Sequence, residues 1–354
     1  MPSDAQTYFA TQVGYTLRGV TPTCRLVIRG SAPLFIDLAA RPIAVREADA
    51  EPADLELELD AADAAAIVPG KEMMVDGWIE SGRIAARGQG DTVSRLRARL
   101  RGGLPGTRYE EVDDRITDPR FVFINHGFVE LDGSSDFSWV RPGDEPWRYN
   151  LNLVRELVRD VAIDGARLLD VGCGRGGTCS YFVRYHAPAE VVGVDLIAGQ
   201  VEFCQSTHHA PNLRFQQADA QSLPFADGSF DVVTNIESSH CYPNREAFYS
   251  EVRRVLRPGG VFCYTDNLPG GQVDARAEQL RAYGDVRRVR RITPEVIEAL
   301  AQCREPFMAL VSEMARDAGD NGPYVERFAS DILQCRNNYI AGAWDYAIWQ
   351  VVRV

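Results

Sequence analysis

The sequence lacks several features that would each point to a class of partner. It has no run near the roughly 18 consecutive apolar residues that a helix needs to cross a bilayer, and Lys71 is the only lysine among its 38 basic residues. The 50 acidic residues outnumber the basic ones and give a net charge of −12, which opposes attraction to phosphate backbones and anionic membrane surfaces. We therefore expect no nucleic-acid partner and no stable membrane insertion.

Metal-binding and secretion patterns are also missing. The eight cysteines form no C-x-x-C pair, and none has a neighbouring histidine at zinc-ligand spacing. Residues 1–10 carry polar side chains where a secretory signal would need a basic patch followed by an apolar run. These patterns predict buried, reduced thiols, no metal site and a cytoplasmic location.

The 354 residues suffice for two domains at about 150 residues each. Short alternating apolar stretches over the first hundred residues, with an alanine-rich helix near 60–68, predict a small mixed α/β unit that ends at a glycine-rich linker, 102–106. We divide the chain into an N-terminal domain (1–104), a linker and cap segment (105–148) and a C-terminal domain (149–354).

After Gly165, strand-sized apolar runs alternate with helix-length segments. The runs are residues 168–171, 191–194, 213–216, 232–236 and 261–265. Continuous apolar runs of this kind are typical of strands that are covered on both faces. The C-terminal domain is therefore predicted to be α/β, with a Rossmann-like parallel sheet and helices on both faces.

A glycine-rich turn joins the first of these strands to a helix. Gly172, Gly174 and Gly177 satisfy the spacing G-x-G-x-x-G, and Asp195 follows at the end of the next strand, where a carboxylate can accept hydrogen bonds from ribose hydroxyls. Asp170, directly before the turn, would repel a pyrophosphate but tolerate a sulfonium or ammonium group. The pattern therefore favours a nucleoside cofactor that carries positive charge.

Residues 165–270 resemble a class I S-adenosylmethionine-dependent methyltransferase. The resemblance rests on the glycine loop LLDVGCGRGG, the strand end VVGVDL, the stretch QQADAQSLPFADGSFDVV and the helix and turn EVRRVLRPGG. It implies S-adenosyl-L-methionine as the cofactor, approached by the three glycines, with Asp195 at its ribose and Asp219 and Ala220 at its adenine. The remaining residues that we assign to the cofactor site are Tyr149, Asp170, Leu196, Gln200 and Asn235.

The string NIESSHCYPN, residues 235–244, resembles a narrower group, the methyltransferases of complex lipids and polyketides, including those that O-methylate phthiotriolone. An alcohol is a poor nucleophile at neutral pH, and a histidine at the end of the fourth strand can remove the hydroxyl proton during transfer. His240 is therefore our candidate general base. Glu237, the second candidate catalytic residue, and Asp266 could each orient its imidazole, and the sequence does not choose between them.

Residues 24–101, with DLELELDAADAAAIVPG followed by WIESGRIAARGQGDTVSRL, resemble a sterol carrier protein 2 domain. The resemblance implies a small sheet-and-helix fold with an apolar tunnel that binds a lipid or presents a substrate. A single helix fits before Cys24, where that family has a longer helical lead-in. A scaffold through which the protein forms a homo-oligomer is the other interpretation.

Together these features predict methyl transfer, with a hydroxyl oxygen of a small lipophilic secondary metabolite, of polyketide or related type, as the acceptor. Two alternatives share the fold. One is C-methyl transfer to a polyketide, terpenoid or aromatic carbon, and the other is a lipid-binding module that carries an inactive transferase domain. A nicotinamide oxidoreductase is a third alternative, because the glycine spacing alone also suits NAD.

Overall fold

The computed structural model describes residues 10, 13, 17, 21–40, 43–48, 52–62, 79, 81–101, 112 and 115–354. The chain divides into two compact units, Met1–Asp114 and Arg115–Val354. Within the described part of the chain, no helix combines the length and the apolar character needed to cross a membrane. None of the eight cysteines forms a disulfide bond, and six of them are buried.

The N-terminal unit is built on a five-stranded sheet of order β3-β2-β1-β4-β5. Its elements are β1 (Thr23–Ile28), β2 (Leu34–Asp37), β3 (Ala44–Glu47), β4 (Leu55–Leu59), β5 (Ala85–Gly88) and helix α1 (Thr92–Arg101). Strands β1 and β4 run parallel, and the other neighbours are antiparallel. Hydrophobic patterning misses β3, because none of its four residues is buried.

Alternate residues of this sheet face a core and a charged surface. The buried residues of β1 and β4, such as Leu26 and Leu57, belong to one apolar cluster. On the other face, Arg87 forms ion pairs with Glu56 and Glu58 across the strands. The unit is small and mixed α/β, and its resemblance to a sterol carrier domain stays a prediction. Most of the predicted helix near 60–68 and the predicted linker at 102–106 lie outside the described residues.

The C-terminal unit surrounds a seven-stranded sheet of order β11-β12-β10-β9-β6-β7-β8. Its elements are α2 (Arg148–Leu157), β6 (Arg167–Val171), α3 (Gly177–Tyr185), β7 (Glu190–Asp195), α4 (Ala198–Thr207), β8 (Leu213–Gln217), β9 (Phe230–Ile236), α5 (Arg245–Val255), β10 (Leu256–Pro269), α6 (Val273–Leu280), β11 (Asp285–Arg291), α7 (Thr293–Gln302), α8 (Arg304–Asp317), α9 (Gly322–Ile340) and β12 (Trp344–Val352). The five predicted strands lie within β6 to β10, so the predicted Rossmann-like sheet is confirmed.

The strand order positions a ligand site. Strands β6 to β10 run parallel, whereas β12 is antiparallel to both β10 and β11. The chain moves outward from β6 to β8 and then returns to β9 on the other side of β6, so the order reverses between β6 and β9. Ligands of open α/β sheets bind at the carboxyl ends of the strands beside such a reversal. The glycine turn after β6 and the polar loop after β9 both lie at this point.

The cap segment, defined here as residues 115–147, has little regular structure but is tied to the glycine turn. Arg175, within that turn, is buried and donates hydrogen bonds to the carbonyl oxygens of Ile116 (2.8 Å) and Phe121 (2.5 Å). The Trp147 indole N–H donates to the carbonyl of Arg120 at 3.1 Å. Because the cap segment and the turn share these bonds, a shift of one displaces the other.

Candidate active site

The three glycines of the turn have different structural reasons to be glycine. Gly172 has φ +70°, and a Cβ on it would lie 2.6 Å from the hydroxyl oxygen of Tyr242. A Cβ on Gly177 would lie 2.5 Å from the carbonyl oxygen of Val122 in the cap segment. Gly174 differs, because its φ is +50° and no atom lies within 4 Å of its Cβ position. Gly172 and Gly177 therefore permit close packing, and Gly174 faces open space that a ligand can fill.

Asp195, at the end of β7, holds the glycine turn through its carboxylate. Its Oδ2 accepts a hydrogen bond from the backbone N–H of Gly174 at 2.9 Å, and its Oδ1 accepts one from the N–H of Ile197 at 3.0 Å. Burial raises the pKa of Asp195 above its ordinary value, and the backbone N–H donors oppose that rise. Each carboxylate oxygen keeps a lone pair that can accept a ribose hydroxyl.

Asp170, the last but one residue of β6, is buried beneath the turn. Thr234 Oγ1 donates to its Oδ1 at 2.6 Å, and the Cys179 thiol lies 3.6 Å from its Oδ2. Burial raises the pKa of Asp170 to about 7. A carboxyl group of this kind gains from a nearby cation, because positive charge favours its ionised form.

Asn235, near the end of β9, presents a buried acceptor without a donor. Its Nδ2 donates to the carbonyl of Val171 (2.7 Å) and to Ser238 Oγ (2.6 Å). Among the described residues, its Oδ1 has no hydrogen-bond partner. A buried orphan oxygen costs free energy, so the site suits a ligand that brings an N–H or O–H group beside the turn.

The other residues assigned to the cofactor lie along the neighbouring strand ends. Leu196 follows β7 and is 47% exposed. Gln200 is buried on α4, and Ala220 is buried in the sheet's core cluster. Asp219 Oδ1 accepts a hydrogen bond from the backbone N–H of Gln221 at 2.8 Å. Leu196 and Gln200 follow β7 in the chain, and Asp219 and Ala220 follow β8, the strand beside it.

Tyr149 is placed differently. It is buried on α2, where it packs against Gly127 of the cap segment and its hydroxyl bonds to Gln302 Oε1 at 3.2 Å. Arg148 donates to the same hydroxyl at 3.2 Å. Tyr149 is thus held by the cap segment and by Gln302, and its assignment to the cofactor site stays a prediction.

His240 lies in the loop after β9 and pairs with a carboxylate on β10. Its Nδ1 is 2.7 Å from Asp266 Oδ1, and its backbone N–H donates to Asp266 Oδ2 at 3.0 Å. The His240 side chain is 32% exposed, whereas that of Asp266 is 2% exposed. Burial lowers the pKa of His240, but the Asp266 carboxylate outweighs that effect and raises it to about 11. Of the two carboxylates that could orient His240, Asp266 is the one bonded to it.

A further set of hydroxyl groups fixes Asp266. Ser239 Oγ donates to its Oδ2 at 2.7 Å, and the Tyr264 hydroxyl donates to the same oxygen at 3.2 Å. Arg276 in turn donates to the Tyr264 hydroxyl at 2.9 Å. These bonds satisfy the Asp266 carboxylate as an anion and hold the imidazole in one orientation.

Glu237 pairs with a different histidine. It accepts hydrogen bonds at Oε1 from the backbone N–H of His126 (2.8 Å) and from the Tyr346 hydroxyl, and its Oε2 is 3.3 Å from His126 Nδ1. His126 Nδ1 is also 2.9 Å from the Tyr339 hydroxyl. The site therefore contains two separate pairs of histidine and carboxylate.

The sequence does not reveal this second pair. Glu237 and His126 are 111 positions apart, in the polar loop after β9 and in the weakly patterned cap segment. Glu237 also has a φ of +48°, a left-handed conformation that nothing in the string NIESSH indicates. The aromatic, glycine-containing string FINHGF around His126 is the only signal, and it does not indicate a partner.

Comparison with known proteins identifies the family of the C-terminal unit. Residues 169–264 match the family described as "Methyltransferase domain". The chain is 42% identical over 214 residues to the phthiotriol/phenolphthiotriol dimycocerosates methyltransferase of Mycobacterium leprae. The aligned region covers 57% of this chain and 75% of that protein. It is 43% identical over 161 residues to the fatty-acid O-methyltransferase of Mycolicibacterium smegmatis, which covers 46% of this chain and 58% of that protein.

A solved structure shares the fold. The [4+2]-cyclase SpnF superposes with a TM-score of 0.51 and 25% identity, over 70% of this chain and 96% of that one. The chain belongs to the class I S-adenosylmethionine-dependent methyltransferases. It spans 58% to 62% of the length of several of the curated relatives that it matches.

The site fits the family's cofactor, S-adenosylmethionine. Open space at Gly174, the orphan oxygen of Asn235 and the buried carboxyl of Asp170 together suit a ligand with a nucleoside and a positively charged amino-acid moiety. Asp195 offers the carboxylate that a ribose needs.

Proposed function

We propose that this protein transfers a methyl group to a hydroxyl oxygen of a lipophilic secondary metabolite, of polyketide or related type, with His240 as the general base. The observation that carries the proposal is the bond of 2.7 Å between His240 Nδ1 and Asp266 at the carboxyl ends of β9 and β10. This pair stands beside the reversal in strand order where the glycine turn also lies.

The residues around the glycine turn would bind S-adenosylmethionine, which supplies an electrophilic methyl group on a sulfonium. Asp195 would accept the ribose hydroxyls, and Asn235 would accept an N–H group through its orphan Oδ1. Asp170 would stabilise the positive charge through a carboxylate that becomes ionised on binding. Leu196 offers an exposed apolar surface for the adenine face.

His240 would take the proton of the acceptor hydroxyl. Asp266 fixes the proton of the imidazole on Nδ1, which leaves Nε2 to accept the hydroxyl proton. The imidazolium that forms is stabilised by the same carboxylate, whose remaining lone pairs are held by Ser239 and Tyr264. General-base assistance of this kind contributes about a hundredfold to ten-thousandfold in rate.

The pKa of His240 sets a condition on this step. At a pKa of about 11 the free protein holds His240 protonated at neutral pH, and the imidazolium cannot accept a proton. Positive charge bound nearby lowers the pKa of a histidine by repulsion. The fraction of His240 that is neutral and can accept a proton therefore rises when the cofactor site is filled. Because that fraction also rises with pH, activity should increase with pH.

The lipophilic character of the acceptor is supported by the relatives. The names of these relatives refer to phthiotriol dimycocerosates and to fatty acids. For the N-terminal unit we propose a role in binding or presenting such a lipid, or in joining two copies of the chain. Light scattering of the whole protein would show whether a dimer forms.

The test of the proposed function is identification of the labelled product. The purified protein is incubated with S-adenosylmethionine that carries an isotopic methyl label and with a lipid extract of the producing organism. We expect a labelled methyl ether, located by NMR. A methyl group on carbon would overturn the proposal in favour of C-methyl transfer. An isomerised product without label would overturn it in favour of a cyclisation, the kind of reaction for which the structural neighbour SpnF is named.

A further inference from the structure

The second histidine pair, His126 with Glu237, has no part in the mechanism above. The two pairs lie on neighbouring strand ends, because Ile236 of β9 is in register with Thr265 of β10. Glu237 directly follows Ile236, and Asp266 directly follows Thr265. The backbone N–H of Glu237 donates to the Thr265 carbonyl at 3.0 Å, which holds the two strand ends together. The charge of His240 also contributes to lowering the pKa of His126, as expected for neighbouring rings.

The Glu237 side chain is held at some conformational cost. Glu237 has a φ of +48°, in the left-handed region that is unfavourable for residues other than glycine and asparagine. Its side chain is 9% exposed, and both of its oxygens face His126. Strained positions of this kind cluster at functional sites, where surrounding bonds maintain them.

The surroundings of His126 define its tautomer. Nδ1 faces Glu237 Oε2, which as a carboxylate can only accept, and the Tyr339 hydroxyl, which can accept as well. We therefore assign the ring proton to Nδ1. Burial lowers the pKa of His126, and this effect exceeds the opposite one of Glu237, so the ring is neutral at neutral pH. The contacts of the ring with Tyr339 and Glu237 are both at Nδ1, so Nε2 carries the lone pair.

We propose that His126 is a second acceptor-binding residue, whose Nε2 accepts a hydrogen bond from a hydroxyl other than the one that is methylated. The preferred acceptor is then a lipophilic diol whose two hydroxyl groups lie close together, because the two carboxylates belong to neighbouring strand ends. One hydroxyl faces His240 and loses its proton, and the other is held by His126. Glu237 is a positioning residue, because it acts on the acceptor only through the His126 ring. This inference rests on the proposed function.

The chemistry of the two rings separates a diol from other lipophilic acceptors. A neutral imidazole with its proton on Nδ1 cannot donate from Nε2, so it offers nothing to a carboxylate or a ketone oxygen. A monoalcohol satisfies His240 alone and leaves the lone pair of His126 without a donor. A monoalcohol therefore makes one hydrogen bond fewer than a diol, and the loss of one hydrogen bond corresponds to about a tenfold loss of affinity.

Calorimetric binding tests this inference separately from methyl transfer. The whole protein, loaded with S-adenosylhomocysteine, is titrated with octane-1,2-diol, octane-1,3-diol, octan-2-ol and octanoate. We expect at least one diol to bind about tenfold more tightly than octan-2-ol. His126→Phe, which keeps a planar ring but removes both nitrogens, should lose this preference and keep the affinity for octan-2-ol. His209→Phe, at an exposed histidine, is the matched control and should keep the preference.

Equal affinity of the wild-type protein for diols and octan-2-ol would overturn the inference. A preference for diols that survives in His126→Phe would also overturn it, as would the absence of measurable binding of either diol. Glu237→Gln should raise KM for a diol more than it lowers kcat, whereas a merely structural loss would lower both in proportion to the folded fraction. If a diol binds with the expected preference but receives no methyl group, the proposed function fails and the binding site stands. If methyl transfer proceeds equally well with diols and monoalcohols, the proposed function stands and the role of His126 in binding a second hydroxyl fails.

Discussion

Replacing Asp266 by asparagine changes the charge beside His240 with little change in shape. The Asp266 carboxylate is bonded to Nδ1 and to the backbone N–H of His240, and it raises the pKa of that histidine to about 11 against an ordinary 6.5. An amide in its place removes the attraction of the carboxylate, so that burial, which lowers the pKa, is opposed only by the weaker effect of Cys241. We therefore expect the pKa of His240 in Asp266→Asn to fall well below its wild-type value.

Two consequences follow for the rate, and they act in opposite directions. In the free wild-type protein, a pKa of about 11 keeps almost all of His240 protonated at pH 7, whereas the lower pKa in the variant leaves more of it neutral. The neutral imidazole of the variant is nevertheless a weaker base, and its imidazolium loses the carboxylate that stabilises it. We expect the rise of kcat with pH to move to lower pH, and the plateau at high pH to fall by about a hundredfold or more.

The assay measures initial rates with methyl-labelled S-adenosylmethionine across a pH series on both sides of neutrality. Calorimetric affinity for S-adenosylhomocysteine should stay within a factor of about two, because the glycine turn is not bonded to Asp266. A pH profile of Asp266→Asn that coincides with the wild-type profile would refute the reasoning. So would an unchanged plateau.

Three further predictions concern the cofactor site. Asp195→Ala removes the acceptor of the Gly174 N–H bond and a ribose partner, so calorimetric affinity for S-adenosylhomocysteine should fall at least about tenfold; an unchanged affinity would contradict the assignment. Because the pKa of Asp170 is about 7, binding of the cationic cofactor at pH 7 should release up to about half a proton. Calorimetry in buffers of different ionisation enthalpy measures this release. Asp170→Asn should abolish it, and a release that persists in the variant would exclude this carboxyl as its source. Gly172→Ala places a Cβ against Tyr242 at φ +70° and should lower the free energy of unfolding by about 1–3 kcal/mol in chemical denaturation. Gly174→Ala places a Cβ that meets no atom of the protein and should chiefly weaken cofactor binding. Equal loss of stability in the two variants would contradict the difference in their surroundings.

Local sequence determines much of the cofactor side of this site. The strand, glycine turn and helix at Gly172 and Gly174 depend on neighbours within a few positions, so spacing alone predicts them. Asp195 also follows from pattern, because the end of an apolar run marks the carboxyl edge of the sheet. The pairing of the antiparallel strand β12 with β10 and β11 does not follow from local pattern, because it depends on residues far away in the chain.

The acceptor side depends on register and on long-range contacts. Both Glu237 and Asp266 directly follow a predicted strand, and only the pairing of Ile236 with Thr265 and the turn at Ser239 decide which of them reaches His240. The positive φ of Glu237 directs its carboxylate to another histidine. Such a conformation is imposed by bonds to distant residues, and hydrophobic periodicity carries no trace of it.

The measurement that tests the central claim most directly compares His240→Ala with the wild-type protein and with the exposed-site control His209→Ala. The rate of labelled methyl transfer and the affinity for S-adenosylhomocysteine are measured for all three proteins. We predict that kcat of His240→Ala falls at least about a hundredfold while its cofactor affinity and the activity of the control remain unchanged. Turnover of His240→Ala at the wild-type rate would show that His240 does not take the proton.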